Sequence, residues 1–206
     1  MFRIAFLLSA LCALVSCAVP TTQVDDPQLD LGDFVLGHNI VVAPDIVKGP
    51  LSREASAEQW KTSVKSAIDA RLGRYEGDRL VHLGVNVGGY VLAQPGVPLL
   101  VSPKSVLAIN VTAWDDRAGG KFNEEPKEII VLETISGGTL VGTGYTLSAD
   151  EQMANLSYNV AKIIEEWLHD NRVCLTDNAT AEELAKCWQD NKDERLAEAR
   201  KQNLGE

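Results

Sequence analysis

The sequence predicts an α+β fold: a two-layer sandwich with an antiparallel-rich sheet of four to five strands and two helices on one face. Three observations carry that prediction. Two segments repeat apolar residues at helical spacing behind a capping signal. Several segments between them alternate apolar and polar residues with a period of two. The elements come in the order strand, helix, strands, helix, which places both helices on one side of a meandering sheet.

Asn39 to Ala43 begins the ordered part as a strand, closed by Pro44. Ser56-Ala57-Glu58-Gln59 is a capping box, and behind it Trp60, Val64, Ala67, Ile68 and Leu72 form one apolar stripe. Gly73 and Gly77 leave the end of that helix open. Val81, Leu83, Val85 and Val87 then alternate with His82, Gly84, Asn86 and Gly88, with a bulge expected at Gly88-Gly89. A proline-containing loop leads to a second strand, in which Leu107, Ile109, Val111 and Ala113 alternate with polar or small residues. After a charged loop from Asp115 to Lys127, Ile129 to Ile135 and Thr139 to Tyr145 flank Ser136-Gly137-Gly138, a hairpin turn. Ser148-Ala149-Asp150-Glu151 caps the best helix, which aligns Met153, Leu156, Val160, Ile163, Ile164, Trp167 and Leu168. Thr180-Ala181-Glu182-Glu183 opens a third helix carrying Leu184, Cys187 and Trp188 before a charged tail.

The N-terminus has a different character. Arg3, an apolar run and small residues up to Cys17 have the layout of a secretory signal peptide. Leu14-Val15-Ser16-Cys17 resembles the lipobox of bacterial lipoproteins. That resemblance implies a diacylglyceryl thioether on Cys17, cleavage just before it, and acylation of the new amine. Ala18, in place of the Asp that retains such proteins in the inner membrane, implies the outer membrane, facing the periplasm. Inner-membrane retention and secretion after cleavage behind Ala18 are the alternatives. The run from Ile4 to Val15 is too short for a spanning helix, which needs about 20 residues. The expected organisation is a leader over 1–16, a lipid-anchored tether over 17–33, the α+β domain over 34–174, and a stapled helix with its tail over 175–206. The element order over Asn39 to Asp170 is also similar to that of small periplasmic lipoproteins. These include the lipopolysaccharide-assembly lipoprotein and the auxiliary lipoproteins of lipid-transporting ABC systems.

Charge narrows the partners. The chain has a formal net charge of −10, from 19 Lys and Arg against 29 Asp and Glu. A field of that sign argues against nucleic acid. Cys12 leaves with the leader and Cys17 takes lipid, so Cys174 and Cys187 are left to pair in an oxidising compartment. The bridge closes a short loop, stabilising the fold by about 3 kcal/mol. Zinc is the competing use of the two thiols, but they lack a nearby third ligand.

Chemistry is sparse. His38, His82 and His169 are far apart in sequence, with no acid or nucleophile at a suggestive spacing. Gly142-Thr143-Gly144 lacks the context of a dinucleotide fingerprint. Asp115-Asp116 and Glu124-Glu125 lack the ligand spacing of a calcium loop. No cofactor or metal is expected. The function expected is therefore a non-enzymatic binding or assembly module, held to the membrane by its lipid and acting on an envelope protein. An envelope hydrolase of peptidoglycan or another glycan is the alternative. The candidate contact surfaces are the sheet face left bare by the helices, where alternation places the candidate binding residues Asn86, Asn110 and Thr112, and the edge strand, which can add a partner's strand. On this view, partner capture should survive replacement of any histidine.

Overall fold

A computed structural model describes residues 26–94, 105–132 and 147–192. Six strands form one sheet: β1 (Phe34–Val42), β2 (Val47–Lys48), β3 (Arg79–Val91), β4 (Val106–Asp115), β5 (Gly120–Lys121) and β6 (Lys127–Leu132). Helices α1 (Ala57–Leu72) and α2 (Ala149–Asp170) lie on one face, and a four-residue helix α3 (Ala181–Leu184) follows. The two-layer α+β prediction holds, and the sheet also contains parallel pairs.

The sheet is antiparallel-rich as expected but mixed rather than purely antiparallel, and among the described residues it has six strands where four to five were expected. β1 and β2 run parallel to β3, while β4 pairs antiparallel with β3, β5 and β6. The cause is connectivity. α1 lies between β1 and β3, and a strand–helix–strand crossover returns the chain in its original direction. β1 also starts earlier than expected, at Phe34, and Leu31 before it is fully buried.

Local signals determine both long helices. Ser56 accepts from the Gln59 amide while Gln59 returns a bond to the Ser56 amide, and Ser148 and Glu151 do the same at α2. Trp60, Val64, Ile68 and Leu72 of α1 are fully buried, as are Leu156, Val160, Ile164 and Leu168 of α2. They meet Val81, Leu83, Val85 and Val87 of β3 and Leu107, Ile109, Val111 and Ala113 of β4. Gly77 lets the chain re-enter the sheet beside β1, because a Cβ there would stand 2.1 Å from the Asp33 carbonyl oxygen. The expected bulge is present, between Val87 and Gly89. The Ser136-Gly137-Gly138 turn and the strand after it lie outside the described residues.

Cys174 and Cys187 form a disulfide with Cα atoms 6.2 Å apart. The third helix is shorter than expected, and Cys187 and Trp188 lie beyond it in a strap. Trp188 has a φ of 59°, an uncommon state for a bulky residue. Its amide donates to Asn171 Oδ1 at 2.6 Å, and its ring packs on Trp167 and Phe122 at centroid distances of 4.9 and 5.2 Å. Farther along, the Asn191 carbonyl accepts from the Glu128 amide at 2.8 Å, so the strap pairs with the start of β6. Cys174→Ser should free this strap at a cost of about 2–4 kcal/mol. Near-ultraviolet circular dichroism should lose the Trp188 signal, while the far-ultraviolet spectrum keeps the sandwich. Collapse of both signals would show that the strap holds up the main core.

Candidate functional site

α1 and α2 cover only one face of the sheet, and among the described residues no helix or strand covers the other. The register places side chains of that bare face in cross-strand rows. Ile40 lies beside Gly84 and Thr112, Val42 beside Asn86 and Asn110, and His82 beside Trp114. The three candidate residues, Asn86, Asn110 and Thr112, thus sit together in the middle of the face. Asn86 and Asn110 are direct cross-strand partners. All three are half-buried, and Asn86 Oδ1 is covered but accepts no hydrogen bond among the described residues.

The face is unusually apolar around this polar centre. Ile40 is 59% exposed, Val42 44%, Trp114 40%, and Leu80 and Leu132 are similarly open. Lone exposed apolar residues need no explanation, but several on one face mark an interaction surface. Lys121 adds a cation 5.4 Å from the Trp114 ring centroid.

A groove of about 350 Å³ crosses one end of the face, lined by His38, Ile40, His82, Gly84, Trp114 and Asp116. Gly84 opens its floor, since a Cβ there would meet nothing closer than the Thr112 carbonyl oxygen at 3.9 Å. Gly37 shapes its wall. A Cβ on Gly37 would stand 2.3 Å from His82 Nδ1, and the β1 register slips between Leu36 and Asn39 at this point. The bulge brings the His38 amide to His82 Nδ1 at 2.8 Å and stacks the two imidazoles at 4.9 Å.

Although no acid lies near it in sequence, His82 Nε2 lies 3.1 Å from Asp116 Oδ1. The contact joins residues 34 apart in sequence, and only the β3–β4 pairing brings them together. Geometry also assigns the tautomer. A backbone amide donates to Nδ1, so the ring proton sits on Nε2 and points at Asp116. With both nitrogens engaged, His82 has no free lone pair with which to take a proton from a nucleophile. The pair positions the groove wall and is not built as a general base. His169 lies elsewhere, at the end of α2, with Nδ1 2.6 Å from the Asp30 carbonyl oxygen. His38 and His82 thus stand beside the candidate surface and His169 away from it.

Of the acidic pairs, Asp115-Asp116 is used structurally. Asp115 is buried against Arg79 at 2.7 Å; burial opposes ionisation, but Arg79 holds its carboxyl below the usual range. Among the described residues no cluster of three or more His, Cys, Asp or Glu forms a metal site. No described helix is long and apolar enough to cross a membrane. Cys17 lies outside the described residues.

On the opposite face of the molecule, the segment before β1 is bound to the helices. Residues 26–33, expected to belong to the tether, are docked instead. Arg71 and Glu165 are buried between α1 and α2, at 5% and 1% exposure, and form an ion pair. Glu165 also accepts from Arg74 at 2.8 Å and from the Tyr75 hydroxyl at 2.6 Å. Burial would raise its carboxyl, but the bonds from Tyr75, Arg74 and Arg71 hold it below the usual carboxylate range. Burial and Glu165 push the Tyr75 phenol up to about 12. Asp26 joins the cluster through Tyr158 and through Arg71 Nη2 at 2.7 Å, and its carboxyl is lowered by both. Sequence reasoning missed this clamp because its members are spread from residue 26 to residue 165. The one available hint was Arg71 and Glu165 on the edges of two apolar stripes.

The fold is thus a mixed α+β sandwich with one partly apolar sheet face that no described helix or strand covers. No family model matches the chain, and no curated protein matches it. Solved structures with some likeness include a candidate lipoprotein from Caulobacter crescentus CB15, with 12% identity over 64% of this chain and 88% of the other, at a TM-score of 0.35. A minor lipoprotein from Acinetobacter baumannii has 18% identity over 65% and 94%, at 0.30. A Xanthomonas campestris protein of the DUF330 family has 12% identity over 68% and 90%, at 0.39.

Proposed function

We propose that this protein is a lipoprotein of the bacterial outer membrane, anchored through Cys17, and that it works as a non-enzymatic binding or assembly module. Its bare sheet face engages an envelope protein. The observation that carries this reading is the bare face itself: open Ile40, Val42, Leu80, Trp114 and Leu132 surround Asn86, Asn110 and Thr112. Trp114, a large ring with one polar edge, is the natural anchor for a partner. The engaged state of both His82 nitrogens supports binding over hydrolysis.

The anchor rests on Leu14-Val15-Ser16-Cys17. Two or three acyl chains, each methylene stabilising attachment by about 0.8 kcal/mol, would make it permanent. Mass spectrometry of the mature N-terminus should show a lipid-modified Cys17, and Cys17→Ser should leave an unprocessed or released protein. An unmodified N-terminus at Val19 would refute the anchor.

A further inference from the structure

Asp26 sits on the outer side of the helix layer. On α2, Leu156, Val160 and Ile164 are buried toward the sheet, and Tyr158, which donates to Asp26, projects from the other side. Lys162, one turn on, is exposed on that same outer side. The clamp is firmly made. Arg71 Nη2 and Tyr158 hold the Asp26 carboxylate, Arg74 Nη1 donates to the Asp26 carbonyl at 2.7 Å, and Gln28 Nε2 donates to the Arg74 carbonyl at 2.8 Å. The chain toward the N-terminus therefore leaves the folded body from the helix side, opposite the groove.

Cys17 and Asp26 are separated by eight residues, a path that cannot exceed roughly 30 Å in any conformation. A helix layer on a sheet is roughly 20 Å thick. Placing the sheet face on the bilayer would require the chain to cross that thickness and then pass around a helix. That consumes the whole reach. The helix face can meet the bilayer with reach to spare. We infer that the Asp26 clamp turns the helix layer toward the membrane and the grooved sheet face toward the aqueous side, so that the face's partner is a protein surface rather than lipid. This rests on the lipid anchor at Cys17.

The test uses the full lipidated protein in vesicles of phosphatidylethanolamine and phosphatidylglycerol with nitroxide on a fraction of the headgroups. A fluorophore is attached, without reduction, at Lys162→Cys on the helix side or Lys121→Cys beside Trp114. Quenching should be at least roughly twice as steep at 162 as at 121, since the sites lie a domain thickness apart. Asp26→Ala should bring the two slopes together, and Tyr158→Phe, a milder change, should narrow the gap. Equal slopes, or a steeper one at 121, on floated vesicles would overturn the orientation alone. Slopes unmoved by either variant would overturn the clamp as its cause. Failure of the parent protein to float, with an unmodified Cys17, would overturn the anchor and this inference with it.

Discussion

Arg71→Met should lower the urea midpoint by an amount equivalent to about 3 kcal/mol, the low end of the range for breaking a buried ion pair. The methionine stem fills the space of the arginine stem, so the loss is electrostatic rather than a cavity effect. Glu165 keeps its bonds from Arg74 and Tyr75, which is why the higher end is not reached. Asp26 loses its guanidinium partner and the clamp on the N-terminal segment loosens. Adding Glu165→Gln to Arg71→Met should recover part of the loss, because the uncompensated buried charge goes with it. A single variant as stable as the parent would mean that the pair contributes nothing to the fold.

The same network, together with the separate Arg79–Asp115 pair, sets a pH dependence of definite sign. Asp26, Asp115 and Glu165 all have carboxyls lowered in the folded state. Their contribution is fully present above the unfolded values near 4 and is lost as pH falls through the lower folded values. The urea midpoint should thus be flat from neutral pH to about 5 and fall below about 4.

Thr112→Arg should reduce partner capture at least about tenfold, the equivalent of 1.4 kcal/mol, and Asn110→Arg should act in the same direction. Both positions are half-buried in the middle of that face, where a new, bulky cation would lose water on docking; Glu128, the cross-strand partner of Asn110, offsets part of the charge there, so the effect of Asn110→Arg is the smaller. The fold should tolerate them, since the buried side chains of β4 are Leu107, Ile109, Val111 and Ala113 on the opposite face. His169→Gln, at the far end of α2, should leave capture unchanged. Equilibrium capture of purified variants from envelope extracts, with the urea midpoint measured alongside, separates loss of binding from loss of fold.

What was legible in the sequence was what is local. Ser56 to Gln59 and Ser148 to Glu151 encode both helix starts within four residues, and alternation in β3 and β4 assigns each side chain to its face. Asn86, Asn110 and Thr112 could be grouped for that reason, although only the register shows that Asn86 and Asn110 are partners. The parallel β1–β3 pair was implicit in strand, helix, strand, but the alternation of β3 and β4 pointed to a meander. The groove could not be read in advance. It depends on a one-residue bulge at Gly37-His38, on the missing side chain at Gly84, and on an Asp116 contact made across two strands. The Arg71–Glu165 clamp was hidden for the same reason, since nothing in a linear sequence pairs residue 26 with residue 158.

On the proposed reading the uncovered sheet face is the working surface. A photo-crosslinking amino acid placed at Ile40, which lies in one row with Gly84 and Thr112, and separately at Lys162 on the outer side of α2, tests this in intact envelopes. A discrete adduct is expected from position 40 that disappears when Thr112→Arg is added to the same chain, and none from position 162. Protein adducts from position 162 alone, or an adduct at 40 indifferent to Thr112→Arg, would show that the face is not the one that works.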